Sequence, residues 1–329
     1  MAAELGSRLR LCAPLGGRSG NLICELMEMD GVEVAPVACG RPSAVWISTG
    51  QDGDRATVAE TRPPPLDRHE VDRLYSAMVA AGLNACVAVL TGLSDRRIMP
   101  VEVYRRLAGD LSDNGARVIA DVSTEVLEPA LAGGIDVLKI SHEDLIAAGW
   151  ARDGTRRGVL AAIAALRAAG ARAVLVSRAA EPAIAHTGGE LLEIVPPHLE
   201  ALKPRGAGDA MTGALAAGLA GGLPLEAALR LAVAAGSLSV TRRGLGTGER
   251  QAIESLAPTL RVLRLDGPGA RPDAGVGGRR VTRRPNVRGT RSAVTRPRVA
   301  SGPPDLRAAP GRGRGRRRRG LRRSPGGPR

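Results

Sequence analysis

Apolar residues fall at Val71, Leu74, Tyr75, Met78 and Val79, a spacing that puts them on one helical stripe, and Gly82 follows as a stop. The apolar run over residues 85–90 shows no polar alternation, which is the pattern of a strand buried on both faces. A second stripe, Tyr104, Leu107, Ala108 and Leu111, ends at Asn114-Gly115, and residues 118–120 lead into Asp121 as the next strand. The alternation continues with a helix over 125–131, a strand over 136–140, a helix over 159–169 and a strand over 173–177. Two Ala/Leu-rich helices follow, one starting at Gly208 and one over 225–240. Helices that separate non-alternating strands predict an α/β fold, a doubly wound and mostly parallel sheet between helical layers.

Residues 41–62 break that rhythm. Two short β-type runs, 44–48 and 55–59, flank Gln51-Asp52-Gly53-Asp54, which predicts a hairpin projecting from the sheet as a small β lid. Beyond residue 265 periodicity stops, and the chain turns to Arg, Gly and Pro. Residues 266–329 hold 19 Arg and 3 Asp, so the formal net charge of +14 belongs to this tail, while residues 1–265 carry a net −2. A segment so poor in apolar surface cannot offset its ordering entropy, so a disordered tail is expected after a folded domain over 1–265. No run reaches the ~20 apolar residues of a membrane span, so no membrane partner and a cytoplasmic location are expected. The four cysteines lack CxxC spacing and read as small buried hydrophobes. With no Phe and only two Trp and two Tyr, the core must be aliphatic.

The most informative run is Lys203 to Ala216, KPRGAGDAMTGALA. Gly206, Ala207 and Gly208 can turn sharply and gather consecutive backbone N–H groups at a helix start, where unpaired donors and the helix dipole favour an anion. Asp209 stands at the lip of that anion hole. Its charge opposes an anionic ligand, so its place suits a general base that takes a proton from a hydroxyl attacking a phosphoryl group. A glycine-rich turn with an Asp in the first helical turn is also a common structural feature, and the four residues alone leave both readings open.

The run resembles the C-terminal signature of the PfkB-type carbohydrate kinases, the ribokinase-like fold. Residues 87–107, 118–145, 173–185 and 234–248 agree with that family in order and spacing, and the likeness leans toward its 1-phosphofructokinase and tagatose-6-phosphate kinase branch. The resemblance implies an ATP-dependent phosphotransferase with a sugar phosphate as acceptor, Mg2+ as cofactor, Asp209 as base and Gly206, Ala207 and Gly208 as anion hole. It further implies Ser177, Arg178, Thr241 and Gly244 at the nucleotide, Ser141 and Asp144 at magnesium and phosphate, and Ser43, Gly92 and Arg96 at the substrate. A homodimer through the lid belongs to the same set of expectations.

The chain departs from the family at three places. Ser141 and Asp144 stand for an Asn-x-x-Glu pair and equally fit an N-cap with a carboxylate three residues on. Ala179 and Pro182 occupy positions where the family has glycines. Leu15 to Asn21 aligns with the family's second strand-to-helix turn, so about 40 residues of opening, some two or three elements, are expected to be missing.

Arg96 and Arg97 follow Thr91-Gly92 at the carboxyl end of a strand, where open α/β sheets place ligands, and would suit a phosphate-bearing substrate. A solvated pair is the competing reading. Walker A, GxGxxG, HExxH and GxSxG patterns are all lacking. Two further expectations stay open: a catalytically impaired kinase homologue, and sequence-tolerant nucleic-acid binding through the arginine tail.

Overall fold

The computed structural model describes residues 1–49, 56–63, 65–200, 205–242 and 246–265. Strand β1 (Arg10–Leu15), helix α1 (Gly17–Met29) and strand β2 (Glu33–Ala38) open the chain, and the two strands pair in parallel as a small sheet of their own. Strands β3 (Trp46–Thr49) and β4 (Ala56–Glu60) form the expected antiparallel hairpin. The turn predicted at 51–54 lies outside the described residues, as do the tail over 266–329 and its expected disorder and nucleic-acid role.

The main layer then runs α2 (Arg68–Gly82), β5 (Val87–Thr91), α3 (Glu102–Asp113), β6 (Arg117–Asp121), α4 (Leu127–Gly133) and β7 (Val137–Ser141). It continues through α5 (His142–Ala147), α6 (Arg156–Ala168), β8 (Ala173–Arg178), β9 (Glu181–His186) and β10 (Leu191–Val195). Helices α7 (Ala207–Ala220), α8 (Leu225–Ser239) and α9 (Arg250–Leu256) precede the last strand, β11 (Arg261–Leu265). Seven strands make one sheet in the order β11-β10-β9-β8-β7-β6-β5. Strands β5 to β8 are mutually parallel and β9 to β11 alternate, so five of the seven point the same way.

Strand parity divides the core. Val118, Ala120, Leu138, Ile140, Val174 and Val176 face α3, α4 and α6, where Leu107, Leu127, Ile163 and Leu166 are buried. Ile119, Val137 and Leu175 face the other way, onto Leu215, Leu229 and Ala232 of α7 and α8. This two-sided burial is why β6 to β8 carry no polar alternation. Helix α2 starts at a capping box in which Asp67 accepts from Glu70 N–H at 2.8 Å and Glu70 accepts from Asp67 N–H at 2.9 Å. The second Glu70 oxygen accepts from Gly40 N–H at 3.0 Å and so ties the start of the hairpin to α2.

The cysteines differ from expectation. Cys12, Cys24 and Cys39 are half-buried and Cys86 is exposed, and none of the four belongs to either core layer.

Candidate active site

The same parity that fills one core layer with Ile119, Val137 and Leu175 continues at the carboxyl ends of the strands with polar residues. Asp121, Lys139, Ser141 and Ser177 share the face covered by α7, with Ser141 opposite Ser177 across β7 and β8. Lys139 is 5% exposed, a buried cation in an otherwise apolar strand. Its Nζ donates to both oxygens of Asp121 at 3.2 Å. Thr212, on the second turn of α7, donates its hydroxyl to Asp121 Oδ2 at 2.6 Å. Sheet and helix are therefore cross-linked beneath the start of α7 by a buried ion pair with a third polar partner, the condition under which such a pair is tolerated.

Above this pair lies the glycine turn. Gly206 adopts φ +89°, the left-handed region that favours glycine, and as N-cap it reverses the chain into α7. A Cβ at position 208 would lie 2.6 Å from Lys139 Nζ, so glycine there lets the ammonium approach the turn from below. The first N–H groups of α7 and the Lys139 ammonium thus converge on one spot, an arrangement that favours an anion. Asp209 is exposed in the first turn and accepts no hydrogen bond among the described residues. Position 246, in the segment after α8, comes close on the other side, since a Cβ there would lie 3.7 Å from Asp209 Cβ.

The remaining sequence-predicted residues sort by position. Gly92 joins the rim: its N–H donates to Asp121 O at 3.0 Å, bringing the loop after β5 alongside β6. In that loop Arg97 forks onto Asp95, with Nη2 to Oδ2 at 2.5 Å, and this guanidinium holds the Asp95 carboxyl well below the usual range. Arg96 stays exposed. Tyr104 braces the loop by donating to Thr91 O at 2.6 Å, and burial pushes its phenol up to about 12. Ser141 caps α5, accepting from Asp144 N–H at 3.0 Å and donating to Asp144 Oδ2 at 2.7 Å, so the capping reading of this pair is realised in the structure.

Ser177 lies beside a register shift between β8 and β9. Arg178 is buried, and its guanidinium donates to Gly154 O and Pro182 O, both at 3.3 Å, stapling the segment before α6 to β9. The following Ala179 has φ +52°, a conformation glycine would adopt without strain. Thr241 donates its hydroxyl to Leu238 O at the end of α8, while Gly244 lies outside the described residues. Among the described residues no hydrogen bond brings Ser43 to the turn. Its hydroxyl accepts from Gly16 N–H at 3.1 Å and pins the hairpin's base to the start of α1.

Sequence reasoning missed Asp121, Lys139 and Thr212. A signal existed for Lys139: it is one of only two lysines, and it interrupts the apolar strand VLKIS. Lysine is rarely buried unless paired.

The magnesium expectation can be set against the donors present. Among the described residues no three His, Cys, Asp or Glu side chains gather into a metal cage. Asp144 and Asp121 offer single carboxylates near the anion turn's face of the sheet, which fits a hard ion held mainly by phosphate oxygens and water.

The family model described as pfkB family carbohydrate kinase matches residues 1–252. The ATP-dependent 6-phosphofructokinase isozyme 2 of Escherichia coli is 26% identical over 247 residues, covering 74% of this chain and 79% of that protein. The 1-phosphofructokinase of Bacillus subtilis is 31% identical over 189 residues, 54% of this chain and 58% of that protein. Among solved structures, Escherichia coli phosphofructokinase-2 in complex with fructose-6-phosphate superposes with a TM-score of 0.65 at 25% identity, covering 78% of this chain and 84% of that one. With its ribokinase-like sheet, its hairpin and a glycine turn opening a late helix, the chain belongs to the pfkB family of carbohydrate kinases, phosphotransferases that act on a sugar hydroxyl with ATP as co-substrate.

Proposed function

We propose that the chain phosphorylates a hydroxyl of a sugar phosphate, in the manner of a 1-phosphofructokinase, with fructose 1-phosphate or a related ketohexose phosphate as acceptor. Asp209 takes the acceptor proton. The N–H groups of the Gly206-Ala207-Gly208 turn, backed by the Lys139 ammonium, stabilise charge on the transferring phosphoryl group. The observation that carries this reading is the exposed Asp209, without a hydrogen-bond partner among the described residues, beside a turn with a buried cation beneath it. Curated relatives whose names include 1-phosphofructokinase and 6-phosphofructokinase support a fructose phosphate over a free sugar.

In this reading Ser177, Arg178, Thr241 and Gly244 border the nucleotide, and Gly92 and Arg96 face the sugar phosphate. Ser43 acts by fixing the base of the hairpin. Ser141, Asp144 and Asp121 would hold Mg2+ through water, and the ion would supply neutralising charge to the phosphate oxygens. Asp121 has a second duty, since its two bonds from Lys139 keep the ammonium under the turn. The hairpin excludes water from the reacting groups and so limits ATP hydrolysis. Its exposed Ile47 and Val58 also supply an apolar face for the homodimer that the resemblance implies.

The test is Asp209→Asn, assayed by coupled ADP release over fructose 1-phosphate, fructose 6-phosphate, tagatose 6-phosphate and free fructose. ATP binding should survive while sugar-dependent turnover falls by at least about a hundredfold, the range of general-base removal. Full turnover in that variant refutes the assignment.

A further inference from the structure

We propose that Arg205 is a phosphate-binding residue of this site and that Trp46 is the residue that positions it. The proposal rests on the kinase reading above and adds to it a residue pair that joins the hairpin to the anion turn. The Arg205 guanidinium carbon lies 4.7 Å from the centre of the Trp46 ring. Arg205 is exposed, and among the described residues it forms no ion pair and donates no hydrogen bond. Every other contact of the hairpin with the rest of the fold noted above is made at its base, through Ser43 and Gly40.

The geometry gives this stack a function beyond packing. A guanidinium resting on an indole spends its π face and leaves its five N–H donors free around the edge, in the planar fork that matches two phosphate oxygens. Arg205 immediately precedes Gly206, whose positive φ turns the chain into the first N–H groups of α7. The donors therefore project from the residue adjoining the anion turn. Trp46 is itself oriented: its indole N–H donates to Thr57 Oγ1 at 2.9 Å, across the hairpin from β3 to β4. A long exposed arginine ordinarily loses rotamer freedom when it grips an anion, and the stack has removed part of that freedom beforehand.

A purely structural strap does not account for the free donors. Arg205 stands beside a turn that favours anions and has no ion-pair partner among the described residues, so its fork is available to an anionic ligand. The ligand is a phosphate group with two or more free oxygens. It has two sources, the terminal phosphate of the nucleotide and the phosphate already on the sugar, and the experiment separates them.

Affinities of the full chain for a non-hydrolysable ATP analogue and for fructose 6-phosphate are measured by calorimetry for wild type, Arg205→Ala, Arg205→Lys, Trp46→Ala and the Trp46→Ala/Arg205→Ala double variant. Far-UV spectra and thermal midpoints check folding. Arg205→Ala should weaken one ligand tenfold or more and leave the other within about twofold, which identifies the source. Arg205→Lys keeps the charge and loses the planar donor fork, and should recover only part of the loss. Trp46→Ala should weaken the same ligand by a smaller factor, and the double variant should be no weaker than Arg205→Ala, the non-additivity of residues acting through one another. In a Trp150→Phe background, ligand-free Trp46 emission should differ between Arg205 and Arg205→Ala, a readout independent of catalysis. Equal affinities in Arg205→Ala and wild type, or additive losses, overturn the proposal while leaving the Asp209 test standing. Binding of neither ligand by wild type overturns this proposal and the kinase reading together.

Discussion

Replacing Lys139 by methionine keeps the length of the side chain and removes its charge, and the structure fixes what should follow. The ammonium is held at 3.2 Å from both Asp121 oxygens, and at that separation the gross attraction is about 5 kcal/mol for an effective dielectric constant near 20. Most of this is offset by the desolvation of both groups, so the pair's net contribution is small, but removing one member strands the other. Breaking a buried pair typically costs about 3–5 kcal/mol. The lower end applies here, because the Asp121 side chain is still 22% exposed and keeps the 2.6 Å bond from Thr212. A loss of about 3 kcal/mol leaves a domain of ordinary stability folded. The effect on turnover should be larger than stability explains, because a cation aimed at developing charge contributes on the order of 10²–10³ in rate. Urea unfolding gives the first quantity and coupled ADP release at saturating substrates the second. A variant destabilised by about 3 kcal/mol whose folded fraction turns over within threefold of wild type would refute the view that Lys139 serves the phosphoryl group, and would reduce it to a core cross-link.

Two further outcomes follow from local geometry. Ala179 sits at φ +52°, so Ala179→Gly should relieve left-handed strain of about 1–2 kcal/mol and lose part of it to unfolded-chain entropy, for a net gain of about 0.5–1 kcal/mol. A urea midpoint below wild type would count against the strain. Glu70 accepts N–H bonds from Asp67 and Gly40, which hold its carboxyl below the ordinary glutamate value. A depressed carboxyl stabilises the fold above its unfolded pKa of about 4.3 and ceases to do so as pH falls through its lower folded value. The stability advantage of wild type over Glu70→Gln should therefore be full at pH 6 and shrink as pH falls below about 4, and denaturation curves at pH 6, 4 and 3 that differ by a constant amount would exclude the linkage.

How much of the fold could be read in advance depends on which faces each element buries. Strands β5 to β8 and helices α2, α3, α6, α7 and α8 sit within a few residues of where the apolar pattern predicts them, because both sheet faces are covered and the pattern reports burial directly. The antiparallel extension through β9, β10 and β11 was not visible in the same way. Strand β9 carries Pro182, β10 carries the buried Glu193 paired with Arg156, and β11 is interrupted by Arg261 and Arg264, so none shows the uninterrupted apolar run of its neighbours. The small parallel sheet of β1 and β2 is half-exposed along most of its length, and Pro36 within β2 further weakens its strand signal.

The candidate site divides along a related line. The turn from Gly206 to Asp209 was legible because backbone function needs particular residues at particular places, and two glycines, an alanine and an acid in sequence carry that demand openly. The support beneath it was not, since Asp121, Lys139 and Thr212 come from β6, β7 and α7 and meet only through strand register and helix packing. The same distinction explains Ser43, whose hydroxyl is engaged with Gly16 just before α1, and Ser141, whose bond to Asp144 is local and matches one of the two readings its spacing allows. Lys139 shows how such hidden support can be sought. A charged residue that interrupts an apolar strand must be neutralised by a partner the sequence does not place beside it, and when the strand's end faces a glycine turn the partner and the turn locate each other. On that argument the charge under the turn is as much part of the proposed chemistry as the acid above it. Altering either should separate phosphoryl transfer from nucleotide binding, whereas altering Arg205 should separate the two phosphate-bearing ligands from one another.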